Sequence, residues 1–357
     1  MSRVKAYLCL SDGSVYEGYR FGYEGDTVGE LVFTTGMEGY VETLTDPSYA
    51  GQIVLQTFPL IGNYGIIPED FEGESLLKGY VVSECCDTPS NFRCEMTLDE
   101  YLKEKKIPGI YGLDTRAIVR KIRECGVLNA CIAATPLNNT KEIESYVVEG
   151  VVAQASCSEM EEYNCENEKY HVVLIDYGAK RNIVRELVKR GCHVTVVPYD
   201  TSAEKILSLN PDGIMLSNGP GDPKENVVSI AVLKELIGKV PVFGICLGHQ
   251  LTALAMGGDT YKLKYGHRGA NQPVKDSKTG RTVITTQNHG YAVDGESLKG
   301  IGVERFVNAN DGTCEGMEYP DKKCMTVQFH PEACAGPKDG AYLFDEMIGM
   351  MKENRNA

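Results

Sequence analysis

The sequence predicts an α/β protein of two domains, and three observations lead to this fold class. The chain has 357 residues, a length that suggests two domains or one large one. From residue 171 onward, short apolar stretches alternate with helical patterns, which is typical of a mostly parallel sheet covered on both faces. The first 150 residues instead combine short strands, turns and two helices, which indicates a smaller mixed α/β domain.

The elements of the first domain follow from local patterns. Strands are predicted at 6–10, 15–18, 31–35 and 53–58. Thr97 and Glu100 form a capping box at the start of a short helix. Asp114 caps a second helix over 116–125, which Gly126 ends.

An acidic, poorly periodic stretch at 156–168 separates the two patterns and has the composition of a linker. We therefore expect an N-terminal domain at 1–152, a linker at 153–170 and a C-terminal domain at 171–357.

The second domain is predicted to alternate strands and helices up to residue 256. Strands are expected at 172–175, 194–197, 213–216 and 242–245, helices at 181–190, 203–209, 227–237 and 247–256, a hairpin at 266–274 and 282–286, and a last helix at 341–352. Ligands bind beyond the carboxyl ends of the strands in such sheets. We therefore expect the functional site in the loops 176–178, 217–223 and 246–248.

Composition excludes several classes of function. The formal charge of −14 argues against a phosphate-binding basic face, so no nucleic acid is expected. Thirteen scattered cysteines without a CxxC pair indicate free thiols in a reducing cytoplasm. No apolar run approaches a membrane span, and the N-terminus lacks the apolar core of a signal peptide.

Cys246 lies between a predicted strand and a predicted helix, with Gly244 and Gly248 two residues away on either side. This is the arrangement of a nucleophile elbow, in which a tight turn presents a reactive side chain at the sheet edge. The N-terminus of the helix also favours a thiolate. The alternative is a buried cysteine in a glycine-lined packing turn, and the motif alone does not decide between them.

A cysteine nucleophile needs a base, and the first domain contains no histidine. Of the six histidines, His330 is the best candidate, because it ends an apolar strand and extended backbone would place Glu332 on the same side. The predicted set is Cys246 as nucleophile, His330 as base and acid, and Glu332 as the orienting group. Taken alone, His330-x-Glu332 would be interpreted as a surface ion pair, and only the elbow favours catalysis.

Acyl transfer also requires hydrogen-bond donors for the oxyanion. The backbone N–H of Leu247 is one, and the loop Gly219-Pro220-Gly221 offers a second unless it is a plain turn. The sequence shows no P-loop, no dinucleotide fingerprint and no metal-ligand cluster. We therefore expect neither a cofactor nor a metal in this chain.

Three segments of the second domain, taken together and in this order, resemble the class I (triad) glutamine amidotransferases. They are Asn-Gly-Pro-Gly-Asp-Pro at 218–223, Gly-Ile-Cys-Leu-Gly-His-Gln at 244–250 and His-Pro-Glu at 330–332. Three further segments, at 35–40, 44–52 and 112–117, resemble the small subunit of carbamoyl-phosphate synthetase. The resemblance covers essentially the whole chain, and it implies a class I amidotransferase-like fold for the second domain.

The resemblance implies that Cys246, His330 and Glu332 hydrolyse L-glutamine through a thioester. Ammonia would pass to a separate large subunit, which makes carbamoyl phosphate from bicarbonate with ATP and Mg²⁺ for arginine or pyrimidine biosynthesis. The glutamine-binding residues implied by position are Ser48, Gly219, Gly221, Leu247, Gln250, Asn288, Gly290 and Tyr291. Ser48 would come from the first domain, so that both domains would contribute to the site.

The sequence departs from the family pattern at two positions. Cys334 stands where serine or alanine is commoner, and Gln272 replaces a frequent histidine. Neither change touches the proposed triad.

Two alternatives stay open. The chain could serve another synthase, such as one making GMP or anthranilate, although such partners do not require the first 150 residues. It could also be a non-catalytic regulatory subunit, although an intact Cys, His and Glu set argues against this.

Overall fold

The computed structural model describes residues 4–137, 139–333 and 335–356, so Cys334 lies outside the described residues. The chain divides into two compact units, Met1–Glu149 and Gly150–Ala357. Among the described residues, no helix has the length and apolar character needed to cross a membrane.

The first unit is built on a closed barrel. Its strands are β1 Lys5–Leu10, β2 Val15–Gly22, β3 Thr27–Thr34, β4 Gln52–Gln56, β5 Leu60–Ile61, β6 Gly79–Val81, β7 Glu84–Cys85, β8 Pro108–Tyr111 and β9 Leu128–Ala133. The barrel closes in the order β1-β2-β8-β6-β4-β3-β9, while β5 and β7 form a separate two-stranded sheet. Closure was not predicted, because it depends on the pairing of β1 with β9, which are distant in sequence.

The described part of the first unit contains four helices, α1 Tyr40–Leu44, α2 Leu98–Glu104, α3 Thr115–Cys125 and α4 Lys141–Glu144. The two that were predicted, α2 and α3, begin within a residue of the positions that the sequence signals give. Both halves of the predicted capping box are present, since the Thr97 side chain accepts from the Glu100 N–H and the Glu100 side chain accepts from the Thr97 N–H. Asp114 caps α3 by accepting from the Ala117 N–H. These local signals are confirmed.

The second unit contains a ten-stranded sheet in the order β10-β12-β11-β13-β14-β19-β18-β16-β15-β17. The strands are β10 Glu161–Tyr163, β11 Tyr170–Asp176, β12 Cys192–Pro198, β13 Gly213–Leu216, β14 Val242–Ile245, β15 Asp259–Asp276, β16 Thr282–Asp294, β17 Val303–Asn308, β18 Cys314–Tyr319 and β19 Cys324–Val327. Five neighbouring strands at the centre of the sheet, β12-β11-β13-β14-β19, run parallel. They bring the three loops predicted to hold the site to one edge.

The helices of the second unit are α5 Val151–Ala155, α6 Arg181–Lys189, α7 Ala203–Ser208, α8 Val227–Leu236, α9 Leu247–Ala255 and α10 Tyr342–Arg355. Apolar clusters lie on both faces of the sheet. One contains Ile175, Leu216 and Leu247, and the other contains Phe243 and Phe344.

Three segments differ from what the sequence predicted. The segment 153–170, expected to be a linker, includes β10, which pairs antiparallel with β12. The hairpin strands β15 and β16 are much longer than predicted, because an irregular register between 262 and 272 lets them continue through glycine-rich sequence. His330 does not end a strand: β19 stops at Val327, and His330 forms an isolated bridge with Thr286.

Candidate active site

Cys246 occupies a strained turn between β14 and α9. Its φ is 53° and its ψ is −101°, a region that non-glycine residues rarely adopt. The flanking glycines let the chain make this turn. A Cβ on Gly248 would lie 2.6 Å from the Cβ of Leu216, and one on Gly244 would lie 3.0 Å from the backbone of Gly248. Side chains at these positions would push the helix away from the sheet.

The thiol of Cys246 is held at the carboxyl edge of the sheet. Cys246 is 2% exposed, and its backbone N–H donates to the Val327 carbonyl at 2.8 Å. Its Sγ lies 3.8 Å from the carbonyl oxygen of Asn288 on β16. The sulfur is therefore directed at a strand on which three of the predicted glutamine-binding residues lie.

His330 follows β19, the strand that pairs with the strand preceding Cys246. The parallel strands β14 and β19 are neighbours, with Ile245 opposite Val327. Cys246 directly follows Ile245, and His330 lies three residues past Val327. The His330 N–H donates to the Thr286 carbonyl at 2.9 Å, which fixes the segment against β16. The register of two adjacent strands thus brings the predicted nucleophile and base to the same edge.

Glu332 orients the imidazole of His330. Nδ1 of His330 lies 2.7 Å from Oε1 of Glu332, and both side chains are fully buried. Because an ionised carboxylate only accepts hydrogen bonds, Nδ1 carries the proton and Nε2 is the basic nitrogen. Nε2 is buried and has no hydrogen-bond partner among the described residues. It is therefore available to accept a proton.

Lys180 lies against this pair and was missed by the sequence analysis. Its Nζ is 3.3 Å from His330 Nδ1 and 3.4 Å from Glu332 Oε1, and the residue is 4% exposed. Burial by itself raises the pKa of Glu332, but the charges of His330 and Lys180 outweigh it and lower the pKa to about 2. Lys180 follows the loop 176–178 at the predicted edge, and this position was the available signal.

The first turn of α9 offers a backbone donor beside the sulfur. The N–H of Gly248 donates to the Ser217 carbonyl at 3.0 Å. Leu247 is the first residue of the helix, so its N–H has no acceptor within the helix. This N–H is therefore placed to stabilise an oxyanion formed next to Cys246.

The loop that contains Gly219 and Gly221 packs close to the elbow. A Cβ on Gly219 would lie 2.8 Å from the Leu247 side chain, and Gly221 has a φ of +86°. The Asn218 side chain fixes the loop by donating to the Gly178 carbonyl at 2.9 Å. Both glycines are thus required by the shape of the loop.

Gln250 connects α9 to the strand that carries Asn288, Gly290 and Tyr291. Its Nε2 donates to the Tyr291 carbonyl and to Oε1 of Gln328, each at 2.9 Å. Five predicted glutamine-binding residues thus lie on α9 and β16, which Gln250 connects. Gln328 was missed by the sequence analysis, because nothing marked its side chain among the apolar residues around it.

Of two further polar residues, Ser48 and His249, only Ser48 was predicted to bind glutamine. Ser48 belongs to the first unit, where its N–H donates to Asp46 Oδ1 at 2.9 Å, and its role in binding glutamine stays a prediction. His249 is fully buried on α9 and its Nδ1 lies 2.8 Å from the Thr326 hydroxyl. Burial lowers its pKa to about 3, so the ring is neutral at physiological pH.

Comparison with known proteins places the chain in a family. The model of the family "Glutamine amidotransferase class-I" matches residues 173–350, and that of "Carbamoyl-phosphate synthase small chain, CPSase domain" matches residues 8–132. The carbamoyl phosphate synthase small chain of Staphylococcus epidermidis is 52% identical over 357 residues, which cover 98% of this chain and 96% of the relative.

The corresponding protein of Fusobacterium nucleatum is 52% identical over 355 residues, covering 97% of this chain and 98% of the relative. That of Bacillus cereus is 52% identical over 357 residues, covering 98% and 96%. Identity at this level over nearly the full length confirms the resemblance seen in the sequence motifs. The chain belongs to the carbamoyl-phosphate synthase small-chain family, and its second unit is a class I glutamine amidotransferase domain.

Proposed function

We propose that this chain is the glutamine-hydrolysing subunit of a carbamoyl-phosphate synthase, with Cys246, His330 and Glu332 as its catalytic residues. One observation carries the proposal. Cys246 lies in a strained elbow directly after β14, and His330 follows the neighbouring strand β19 at the same edge of the sheet. His330 is hydrogen-bonded to Glu332, a buried and ionised glutamate. This is the arrangement that activates a thiol for acyl transfer.

In the first half-reaction, Cys246 Sγ attacks the side-chain amide carbon of glutamine. His330 Nε2 takes the thiol proton and then donates it to the leaving nitrogen, which departs as ammonia. The bond formed is the S–C bond of a γ-glutamyl thioester, and the bond broken is the C–N bond of the amide. The Leu247 N–H stabilises the oxyanion of the tetrahedral intermediate.

In the second half-reaction, His330 removes a proton from water, and the resulting hydroxide attacks the thioester carbon. The C–S bond breaks, glutamate leaves, and the proton returns to the sulfur of Cys246. Glu332 remains ionised in both steps, because its pKa of about 2 lies far below neutral pH. Its negative charge stabilises the imidazolium that forms twice in each cycle.

The polar groups near the elbow suit a zwitterionic substrate that carries an amide. We assign the binding of glutamine to Ser48, Gly219, Gly221, Leu247, Gln250, Asn288, Gly290 and Tyr291. Gln250 offers a neutral amide and is already fixed to β16 through Tyr291. The glycines let backbone groups approach the substrate closely.

Ammonia is consumed on a separate large subunit, which binds ATP and Mg²⁺ and converts bicarbonate to carbamoyl phosphate for arginine or pyrimidine biosynthesis. The relatives' designation as small chains supports a heterodimer of this kind. We place the complex in the cytoplasm, where a reducing environment suits the free thiols of this chain.

The test is to produce the chain together with its large subunit and supply glutamine labelled with ¹⁵N in the side-chain amide. We expect the label to appear in carbamoyl phosphate when ATP and bicarbonate are present. Unlabelled glutamine with ¹⁵N-ammonia serves as the control for the activity of the large subunit. A complex that uses ammonia but never transfers the amide label would indicate a non-catalytic regulatory subunit. Failure to bind this large subunit, with glutamine still hydrolysed, would indicate another synthase.

A further inference from the structure

A second group of potential metal ligands includes one residue of β16, the strand that also carries Asn288 and Tyr291. His267 on β15, His289 on β16 and Glu315 on β18 each place one potential metal-ligand atom within 4.8 Å of the other two. Glu315 and the His289 side chain are almost entirely buried, and the His267 side chain is 11% exposed. The three residues come from three different strands, so no spacing in the sequence revealed the cluster.

The ring nitrogens that face away from the centre of the cluster both have acceptors. Nε2 of His267 lies 2.8 Å from the Asp311 carboxylate, and Nδ1 of His289 lies 2.8 Å from the Tyr291 carbonyl. Each of these nitrogens therefore carries a proton. Metal-binding histidines show this pattern, in which the second nitrogen donates to a carboxylate or a backbone carbonyl.

With both rings neutral, the atoms that face the centre are all acceptors. Nδ1 of His267 is 3.4 Å from Glu315 Oε1 but forms no hydrogen bond there, and it is buried. Nε2 of His289 is 4.0 Å from the same carboxylate oxygen and 3.2 Å from Gln287 Oε1. Gln287 presents this oxygen because its Nε2 donates to Glu315 at 2.9 Å. Four lone pairs thus converge on one buried point, where either a metal ion or a further proton on an imidazole would satisfy them.

We propose that His267, His289 and Glu315 bind a zinc ion. Two imidazoles and one carboxylate are a ligand set that Zn²⁺ takes, and the soft or all-oxygen sets preferred by Cu(I) or Mg²⁺ are different. In a tetrahedral zinc site, metal–ligand bonds of about 2.0–2.1 Å place the ligand atoms roughly 3.3 Å from one another. The His267–Glu315 pair already lies at 3.4 Å, and the His289–Glu315 pair at 4.0 Å closes by less than an ångström. The two histidine nitrogens lie within 4.8 Å of each other, so this pair closes by no more than about 1.5 Å.

The local charge is compatible with a divalent ion. Asp311 and Glu315 supply two carboxylates, while Arg268 supplies one buried cation whose Nη1 donates to the Tyr265 carbonyl. Asn308 adds a donor to Glu315 Oε1 at 3.3 Å, which fixes the carboxylate. A metal ligand is deprotonated, and with Glu315 ionised these side chains carry a net negative charge that favours a bound Zn²⁺.

Zinc would join β15, β16 and β18 at the point where β16 passes the active site. The Tyr291 carbonyl that accepts from His289 also accepts from Gln250, so the metal would fix the same strand that positions Gln250. The proposed zinc site does not depend on the proposed glutaminase function, because metal content is measured without substrate.

The test uses the purified full-length chain with Cys246→Ser, which removes the thiol of the elbow as a competing ligand. After removal of metals, zinc is titrated and the bound amount is measured by elemental analysis, with Co²⁺ as a spectroscopic probe. We expect one zinc per chain, a raised thermal midpoint and a cobalt spectrum of four- or five-coordinate nitrogen and oxygen ligation without thiolate charge transfer.

In the same background, Glu315→Gln and His267→Gln should each weaken zinc binding by more than tenfold, and Asp311→Asn should weaken it less. The matched control is His193→Gln, which removes the ring of the His193–Glu162 pair elsewhere in the second unit and should leave zinc binding unchanged. Circular dichroism verifies that each variant is folded. Zinc affinity that is unaffected by Glu315→Gln and His267→Gln, or a cobalt spectrum with thiolate charge transfer, would overturn the proposal. So would the absence of stoichiometric binding, since a proton would then be the buried cation.

Discussion

Lys180 Nζ lies 3.4 Å from Oε1 of Glu332, and both side chains are almost entirely buried. Removing one partner of such a buried ion pair strongly destabilises the folded protein, because the other charge is left buried without a partner. Here it also sets the protonation state of the group that orients His330, because the lysine charge helps to keep the pKa of Glu332 low. Lys180 is therefore a positioning residue for the proposed base.

Replacing Lys180 with methionine should lower glutamine hydrolysis by about 10- to 100-fold, less than the roughly 10²–10⁴-fold that an acid–base group itself contributes. Without the ammonium, the pKa of Glu332 rises, so the acidic limb of the pH–activity profile moves to higher pH. Steady-state kinetics across pH measure both effects.

Lys189→Met is the matched control, because this lysine on α6 is largely exposed. Lys180→Arg retains the positive charge and should recover part of the activity lost in the methionine variant. A methionine variant with normal kcat and an unmoved acidic limb would show that Lys180 does not act through Glu332.

Gly248→Ala should destabilise the elbow, because the new Cβ would lie 2.6 Å from the Cβ of Leu216. Overpacking of this kind costs about 1–3 kcal/mol, and the displaced helix should carry the Leu247 N–H away from the oxyanion. The control is Gly349→Ala on α10, where no atom lies within 4 Å of the added Cβ. That change should stabilise the helix by about 0.5–1 kcal/mol. Chemical denaturation of both variants, with glutaminase assays, makes the comparison, and equal stability would refute the steric argument.

His249 should make stability depend on pH. Burial lowers its pKa from 6.5 to about 3 in the folded chain. Between these values the unfolded chain binds a proton at this position and the folded chain does not, so stability is lost as the pH falls from about 6.5 towards 3. The slope approaches about 1.4 kcal/mol per pH unit in this window.

The variant His249→Asn keeps a polar group near Thr326 and removes this titration. It should be less stable than the parent at pH 7, and the difference should shrink as the pH is lowered to 5. Denaturant titrations at several pH values measure the difference. A gap that stays constant over this range would mean that His249 binds its proton equally well in both states.

Arg305→Met should be among the most destabilising changes in the second unit. The guanidinium is 2% exposed and binds Asp276 at 3.1 Å and Glu318 at 2.8 Å, and Glu346 contributes a further pair at 2.9 Å. Its loss leaves Asp276 buried without a cation, at a cost of about 3–5 kcal/mol.

The matched control for Arg305 is Arg281→Met, since Arg281 is exposed and its replacement should change stability by no more than about 0.5 kcal/mol. Denaturant midpoints of the two variants provide the comparison. Comparable midpoints would show that the Arg305 network contributes nothing net to folding.

The sequence predicted what is encoded locally. The capping box of α2, the N-cap of α3, the glycines around Cys246 and the strands β13 and β14 follow from short patterns, and the structure places them within a residue or two. The link between Cys246 and His330 was also anticipated, although His330 lies beyond its strand and not at its end. The pairing was inferred from the elbow and from the His330-x-Glu332 pattern, and the family resemblance agreed with it, although none of the 83 intervening residues encodes it locally.

Features that depend on distant contacts were not predicted. The barrel of the first unit needs β1 to pair with β9, and Lys180 acquires its position only when β11 lies in the same sheet as β19. The cluster of His267, His289 and Glu315 draws on three strands in the same way. Such features depend on sheet order and register, which the residues along one strand do not specify.

The most direct test of the proposed mechanism is to compare nitrogen donors in the complex that carries Cys246→Ser. Serine keeps the size of the side chain at the elbow but not the reactive thiol. Carbamoyl phosphate synthesis from glutamine should fall to background while synthesis from free ammonia continues at the normal rate. If the variant complex still uses glutamine at a rate close to that of the parent, Cys246 is not the nucleophile and the mechanism proposed for this chain is wrong.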